Sequence, residues 1–223
     1  MSDSQSEMDT LLGEARKPEP ETEPLADGAV LFRGGARAEA PALFAAVQAI
    51  AEAAPFRHMT TPGGFVMSIA ITNCGDFGWT SDRRGYRYAP CDPGTGKPWP
   101  AMPPFFRALA VGAAARAGFP GFAPDSCLIN RYEPGARLSL HQDKDEKRLA
   151  APIVSVSLGL PARFLFGGLT RQEKPRRFRL ENGDVVVWGG PARMAFHGVD
   201  PLAGGNHPLT GRCRVNLTFR QAS

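Results

Sequence analysis

From about residue 126 to the C-terminus the chain breaks into seven short segments, SCLINRY, IVSVSLGL, ARFLFGG, RRFRLENGD, VVVWGG, RMAFHGV and RCRVNLTFR, separated by Gly, Pro and Asn-Gly turns. Short β-branched and aromatic runs at regular spacing fold as an all-β sandwich or barrel. That half must therefore be a β core, and any helix has to pack on its outside. Two helices are predicted. Residues 41–54, PALFAAVQAIAEAA, place Leu43, Val47 and Ile50 at helical spacing and end at Pro55. Residues 104–117 open on prolines and close at Gly118. With 223 residues, 43% of them hydrophobic, the chain can bury one core of about 200 residues plus a tail.

The tail is expected over residues 1–24, where the run KPEPETEP is polar, proline-broken and too poor in aromatics to offset its ordering entropy. Residues 25–223 are the expected folded domain. Residues 1–27 hold eight acids against Arg16 and Lys17, a net −6, so in a chain of net charge +4 the remainder carries +10. A basic body suits a polyanionic partner, nucleic acid first, although a basic surface kept for solubility fits equally well. Cys74, Cys91, Cys127 and Cys213 are widely spaced, with no zinc-finger pattern, and read as free thiols. No apolar run approaches a membrane span, and the acidic N-terminus is unlike a signal peptide. A cytoplasmic monomer is the expectation.

The chemistry gathers around LINRYEPGARLSLHQDKD, residues 128–145. His141 and Asp143 stand two positions apart at the end of a strand-like segment, where side chains repeat on one face. Two histidines and one carboxylate on a face hold ferrous iron with three positions left open. The third ligand has three candidates, His58, His197 and His207. His197, at the end of the strand-like RMAF and followed by Gly198, is the best placed. In the last segment Arg212, Arg214, Asn216, Thr218 and Arg220 recur with period two. An arginine fork beside a metal binds a dicarboxylic acid bidentately. Upstream, Trp79, Tyr86 and Tyr88 lie among Arg83, Arg84 and Arg87 in a glycine-rich stretch, a mixture suited to stacking on bases and pairing with phosphates. An aromatic satellite cluster under a long loop is the plainer reading of that stretch.

Taken together, NRYEPGA, LSLHQDKDE, APIVSVSLGLPA, FGGL, GDVVVWGG and RVNLTFRQA, with TPGG, TNCG and GWT upstream, resemble the AlkB family of Fe(II)- and 2-oxoglutarate-dependent dioxygenases over residues 24–222. The resemblance implies a mainly β double-stranded β-helix, or jelly roll, at residues 126–221, with flanking helices and a nucleotide-recognition lid at about residues 60–100. It implies iron on His141, Asp143 and His197. It implies 2-oxoglutarate on Arg214, assisted by Asn130 and Tyr132, with Asn216 and Arg220 completing that side. For the substrate it implies Trp79 stacked on a flipped base opposite His141, Asp145 on the exocyclic amino group, and Tyr86, Tyr88 and Arg171 on the backbone or closing the lid. Two positions depart from the family pattern: Arg87 stands where an apolar residue is expected, and Ile71 where a methionine is.

The implied activity is oxidative dealkylation of bases such as 1-methyladenine and 3-methylcytosine in single- or double-stranded DNA, consuming O2 and releasing formaldehyde. The alternatives are the same chemistry on RNA, including tRNA, or on a small alkylated molecule, a catalytically silent 2-oxoglutarate or metal sensor that binds nucleic acid, and a zinc hydrolase. The last leaves the arginines of the final strand without a use.

Overall fold

Each strand of the C-terminal half carries two different faces, and the fold gives each face its own partner. The structure is a computed structural model that describes residues 21–223. In chain order it comprises the hairpin β1 (Thr22–Ala26) and β2 (Ala29–Phe32), helix α1 (Ala40–Ala53), strand β3 (Ala70–Gly75), the hairpin β4 (Gly78–Asp82) and β5 (Gly85–Ala89), and helix α2 (Pro104–Arg116). Eight strands follow: β6 (Ser126–Tyr132), β7 (Leu138–His141), β8 (Ile153–Gly159), β9 (Ala162–Phe166), β10 (Arg176–Leu180), β11 (Val185–Trp188), β12 (His197–Val199) and β13 (Arg214–Arg220). A seven-stranded sheet in the order β1-β2-β11-β8-β13-β6-β3 faces a four-stranded sheet in the order β10-β9-β12-β7, and all the pairings are antiparallel. This is the jelly roll with flanking helices that the segment pattern and the resemblance imply.

β13 shows how the two faces are used. It lies between β8 and β6 and is buried throughout. Val215, Leu217 and Phe219 point to one side, into a core completed by Leu43, Val47 and Ile50 of α1 and Phe106 and Ala110 of α2. The alternate residues Arg214, Asn216, Thr218 and Arg220 line the cavity between the two sheets. Both helices sit within a residue of their predicted bounds, α1 with its predicted face of Leu43, Val47 and Ile50 buried, and Gly118 at φ +89° ends α2 as its missing Cβ allows. A second core, with Phe164, Phe166, Phe178, Leu180 and Trp188, fills the space between the sheets beside the cavity.

Four expectations need correction. Residues 22–24, assigned by composition to the tail, belong to β1, whose backbone pairs with β2; residues 1–20 lie outside the described residues. RMAF is not a strand, because the Gly189-Gly190-Pro191 turn leads into a 3-10 turn at Gly190–Ala192, and His197 opens β12 instead of ending a strand. Arg212 is exposed and precedes β13, so only Arg214 and Arg220 carry the arginine face of that strand. Asp143 lies beyond the end of β7, not on it. The four cysteines are free, and Cys74 and Cys127 sit opposite one another on β3 and β6. Among the described residues no helix is long and apolar enough to cross a membrane.

Candidate active site

β7 and β12 pair so that His141 and His197 stand directly opposite. The approach needs Gly198, since a Cβ there would lie 2.6 Å from the Leu138 carbonyl oxygen. The two rings are 4.3 Å apart between centroids, and Asp143, just past β7, closes the third side. One ligand atom from each residue falls within 4.8 Å of the others. His141 Nδ1 donates to the Ser139 carbonyl at 2.9 Å and His197 Nδ1 to the Ala195 carbonyl at 3.0 Å. A carbonyl only accepts, so each proton is assigned to Nδ1 and the Nε2 lone pair is left for a ligand. Burial, then the neighbouring His141, holds His197 down to about 4, which keeps that ring neutral at pH 7. Burial alone would raise Asp143, but the Arg220 guanidinium outweighs it and holds the carboxyl well below its usual range. Two imidazoles and one carboxylate fit a divalent iron that keeps three coordination positions free.

Beside this cluster a cavity of about 850 Å³ runs between the sheets. Arg214 is 1% exposed at its wall, with Nη2 donating to Ser157 Oγ at 2.9 Å and its guanidinium carbon 5.1 Å from the Tyr132 ring centre. Its Nε and Nη1 have no partner, nor do Arg220 Nη1, Trp188 Nε1 and Asn130 Oδ1. Buried polar groups are normally paired, and an unsatisfied one loses its full hydration. Four orphaned N–H-bearing nitrogens, three of them on guanidinium groups, fit a dicarboxylate in the cavity. Asn130 Nδ2 donates to Asn216 Oδ1 at 3.4 Å, and Asn216 Nδ2 in turn donates to Ser155 Oγ at 2.8 Å. These bonds fix the floor.

The mouth of the cavity is formed by the β4–β5 hairpin on one side. Trp79 stacks on Tyr86 with centroids 5.5 Å apart and planes 17° from parallel, and its Nε1 donates to Asp145 Oδ2 at 2.9 Å. Asn73 holds the backbone of Trp79 at both its N–H and its carbonyl. Across the opening Arg171 lies over Phe196, 5.1 Å from the ring centre. Every residue expected at the site lines this cavity except Tyr88. The Tyr88 hydroxyl instead donates to Glu146 Oε1 at 2.6 Å, and burial, opposed by Arg220, raises its pKa well above the usual value. Arg87, the departure from the family pattern, is not aimed at the cavity: it forms a bidentate pair with Asp82 across the hairpin. Ile71 is fully buried at the cavity wall. Of the histidines passed over, His58 is bonded to the Met67 carbonyl and His207 to the Leu209 N–H.

Two buried residues escaped the sequence reading. Glu146 accepts from Tyr88 and from Arg193 Nη2 at 3.0 Å, and its Oε1 is ion-paired with Arg220, 3.3 Å from Nε. Arg193 also donates to the Asp143 carbonyl at 2.7 Å and the Ala151 carbonyl at 2.9 Å. Arg220 bonds Asp143 Oδ2 through Nη2 at 2.6 Å and Nε at 2.8 Å, so the β4–β5 hairpin and the Asp143 carboxylate share one ion network. The mixed-charge run DKDEKR around Glu146 gives no local sign of it.

A jelly roll with a His-x-Asp and a distant His at one end of its cavity, and an arginine with free N–H groups beside them, defines an Fe(II)- and 2-oxoglutarate-dependent dioxygenase. The model of the 2OG-Fe(II) oxygenase superfamily matches residues 28–220. The chain belongs to that superfamily and, within it, to the AlkB family. It is 61% identical over 204 residues to the alpha-ketoglutarate-dependent dioxygenase AlkB of Escherichia coli K12, covering 92% of this chain and 94% of the relative. A DNA N(6)-methyladenine demethylase of Arabidopsis thaliana, ALKBH1C, is 41% identical over 113 residues, 46% of this chain and 25% of that protein. The solved structure of OsALKBH1 superposes with a TM-score of 0.80 at 28% identity, covering 90% of this chain and all of that one. The enzyme therefore uses Fe(II), 2-oxoglutarate and O2.

Proposed function

We propose that this dioxygenase removes N-alkyl groups from nucleobases in DNA by direct reversal, with bases such as 1-methyladenine and 3-methylcytosine as substrates. The observation that carries the reading is the Trp79–Tyr86 wall and the Asp145 carboxylate, which open onto the same cavity as His141, Asp143 and His197. A flat, cationic base fits an aromatic face with a carboxylate at its edge.

His141, Asp143 and His197 hold the iron through two Nε2 atoms and one carboxylate oxygen. Arg214 takes the distal carboxylate of 2-oxoglutarate with its free Nε and Nη1, and Asn130, Tyr132, Asn216 and Arg220 complete that end of the cavity. When bound, the metal and the co-substrate supply the oxidation, in which O2 and 2-oxoglutarate become succinate, CO2 and one hydroxyl on the N-methyl carbon. Trp79 stacks on the base and Asp145 accepts from its exocyclic amino group, so the methyl is directed at the metal. Arg220 neutralises Asp143 from behind and keeps it from being protonated. The hydroxymethyl group then leaves as formaldehyde and returns the ring nitrogen to its free state. A methylated Watson-Crick edge pairs poorly, so its extrusion from the stack is easier than that of an intact base.

The test is formaldehyde release with iron, 2-oxoglutarate and O2 on oligonucleotides carrying 1-methyladenine, as DNA and as RNA of the same sequence. The expected result is formaldehyde equal to succinate on DNA and none with Asp143→Ala. Turnover retained in that variant would sink the metal assignment, and a clear preference for the RNA arm would move the substrate assignment to RNA.

A further inference from the structure

Outside the cavity, the outward face of the smaller sheet carries three exposed arginines, Arg163 on β9 and Arg177 and Arg179 on β10. Arg179 and Arg163 are direct cross-strand partners. Like charges directly opposite in an antiparallel pair destabilise the sheet. The chain supplies two acids to three arginines: Asp200 pairs with Arg177 at 3.1 Å and Glu181 with Arg179 at 3.0 Å. The Arg163 side chain makes no hydrogen bond or ion pair among the described residues. Charge on an edge strand commonly prevents pairing with another chain, which accounts for arginines on β10, the outermost strand. It does not account for Arg163, because β9 is an inner strand already paired on both sides, with β10 and β12.

We infer that this face is a docking track for the phosphodiester backbone of the nucleic-acid strand as it leaves the cavity, an inference that rests on the proposed nucleic-acid substrate. The loop joining β9 to β10 brings Arg171 to the cavity wall and carries the exposed Lys174. From there the positive groups continue away from the mouth, first Arg177 and then Arg179 beside Arg163. Positions two apart on a strand are about 6.8 Å apart, close to the step between phosphates of an extended strand. The ion pairs of Arg177 and Arg179 are more than half exposed on the arginine side, and such surface pairs contribute little and exchange readily for a phosphate. A bound backbone thus supplies the anion that Arg163 lacks.

The test compares wild type with Arg163→Gln/Arg179→Gln in fluorescence-anisotropy titrations of an unmodified single strand of about 20 nucleotides, from about 0.05 to 0.2 M salt. Losing two phosphate contacts lowers the log–log salt slope by about 1.4, so wild-type affinity falls about sevenfold more over that range than the variant's. Arg163→Lys in the Arg179→Lys background, which keeps both charges, should keep the wild-type slope. Turnover of a methylated trinucleotide, with one residue on either side of the cavity, should be the same in all three proteins. An unchanged slope in the Gln variant, or self-association of that variant with unchanged binding, overturns the track and leaves the arginines as guards of the sheet edge. Failure of wild type to turn over the trinucleotide would instead count against the proposed substrate, while the slope comparison on the unmodified strand still decides the track.

Discussion

Glu146→Gln tests whether one buried carboxylate holds the β4–β5 hairpin and the His141–Asp143–His197 cluster together. The Glu146 side chain is 2% exposed, accepts from Tyr88 and Arg193 and is ion-paired with Arg220. Gln keeps the shape but removes the charge and turns an NH2 toward guanidinium donors, which leaves Arg193 with no carboxylate and Arg220 with Asp143 alone. Removing one partner of a buried ion pair typically costs about 3–5 kcal/mol. Taking the lower end for a near-isosteric change, and about 2–4 °C per kcal/mol in a domain of this size, the melting temperature should fall by about 6–12 °C. Tyr88→Phe should cost about 1.5–3 kcal/mol as a lost hydrogen bond to a charged group. The double variant should fall short of additivity by about 1 kcal/mol, since each change removes the same bond. Differential scanning calorimetry on the four proteins reads all of this. Glu173→Gln is the control, because that exposed carboxylate bonds within its own loop, to Thr170 and the Leu169 backbone. A shift under about 2 °C for Glu146→Gln, or strict additivity with Tyr88→Phe, would refute the network as a joint support.

Arg214→Lys should weaken 2-oxoglutarate binding about 10- to 100-fold, as expected for losing one charge-assisted bond, while metal affinity stays within about twofold; isothermal titration under anaerobic conditions checks both. Gly198→Ala forces a Cβ to within 2.6 Å of the Leu138 carbonyl, so β12 must move off β7. It should destabilise the fold by about 1–3 kcal/mol and lower iron affinity, measured by thermal melting and metal titration. Trp79→Ala should impair turnover of methylated DNA and leave 2-oxoglutarate consumption without substrate detectable by succinate release. Burial would raise the Asp92 carboxyl, but Arg57 and the Gly94 N–H hold it below its usual value, so its pKa is lower folded than unfolded. Its contribution is complete above the unfolded value of about 3.9 and is lost as the pH falls through the folded value. The melting-temperature gap between wild type and Asp92→Asn should therefore be constant at neutral pH and close on the acid side of about 4.

The sequence carries the strand faces plainly. In β13 the alternation of Arg214, Asn216, Thr218 and Arg220 with Val215, Leu217 and Phe219 is the division between cavity and helix-facing core. His141 and Asp143 are legible because their spacing is local. His197 reached its place through a less legible route: its neighbours RMAF have strand-like composition, yet the Gly-Gly-Pro turn before them and the side-chain bonds of Arg193 hold them out of any ladder. Glu146 and Tyr88 meet only because β5 folds back over the chain that follows β7, a contact between positions 58 apart in sequence. No local pattern distinguishes such a carboxylate from its solvated neighbours Lys144 and Lys147. Arg87 was equally opaque, since its partner Asp82 is visible only once the hairpin register pairs their strands.

The bond between Trp79 Nε1 and Asp145 has a consequence for discrimination among bases. At the cavity mouth the indole of Trp79 and the carboxylate of Asp145 already satisfy each other. Under the proposed function, an incoming base therefore competes with an internal donor for Asp145. A hydrogen bond to a charged group is worth about 1.5–3 kcal/mol, which sets a threshold the newcomer has to exceed. An unmodified, neutral adenine offers Asp145 only an exchange of one N–H donor for another. Under the proposed function, a ring made cationic by alkylation adds its charge to the exchange, and the protein's own tryptophan is the reference against which damage is measured.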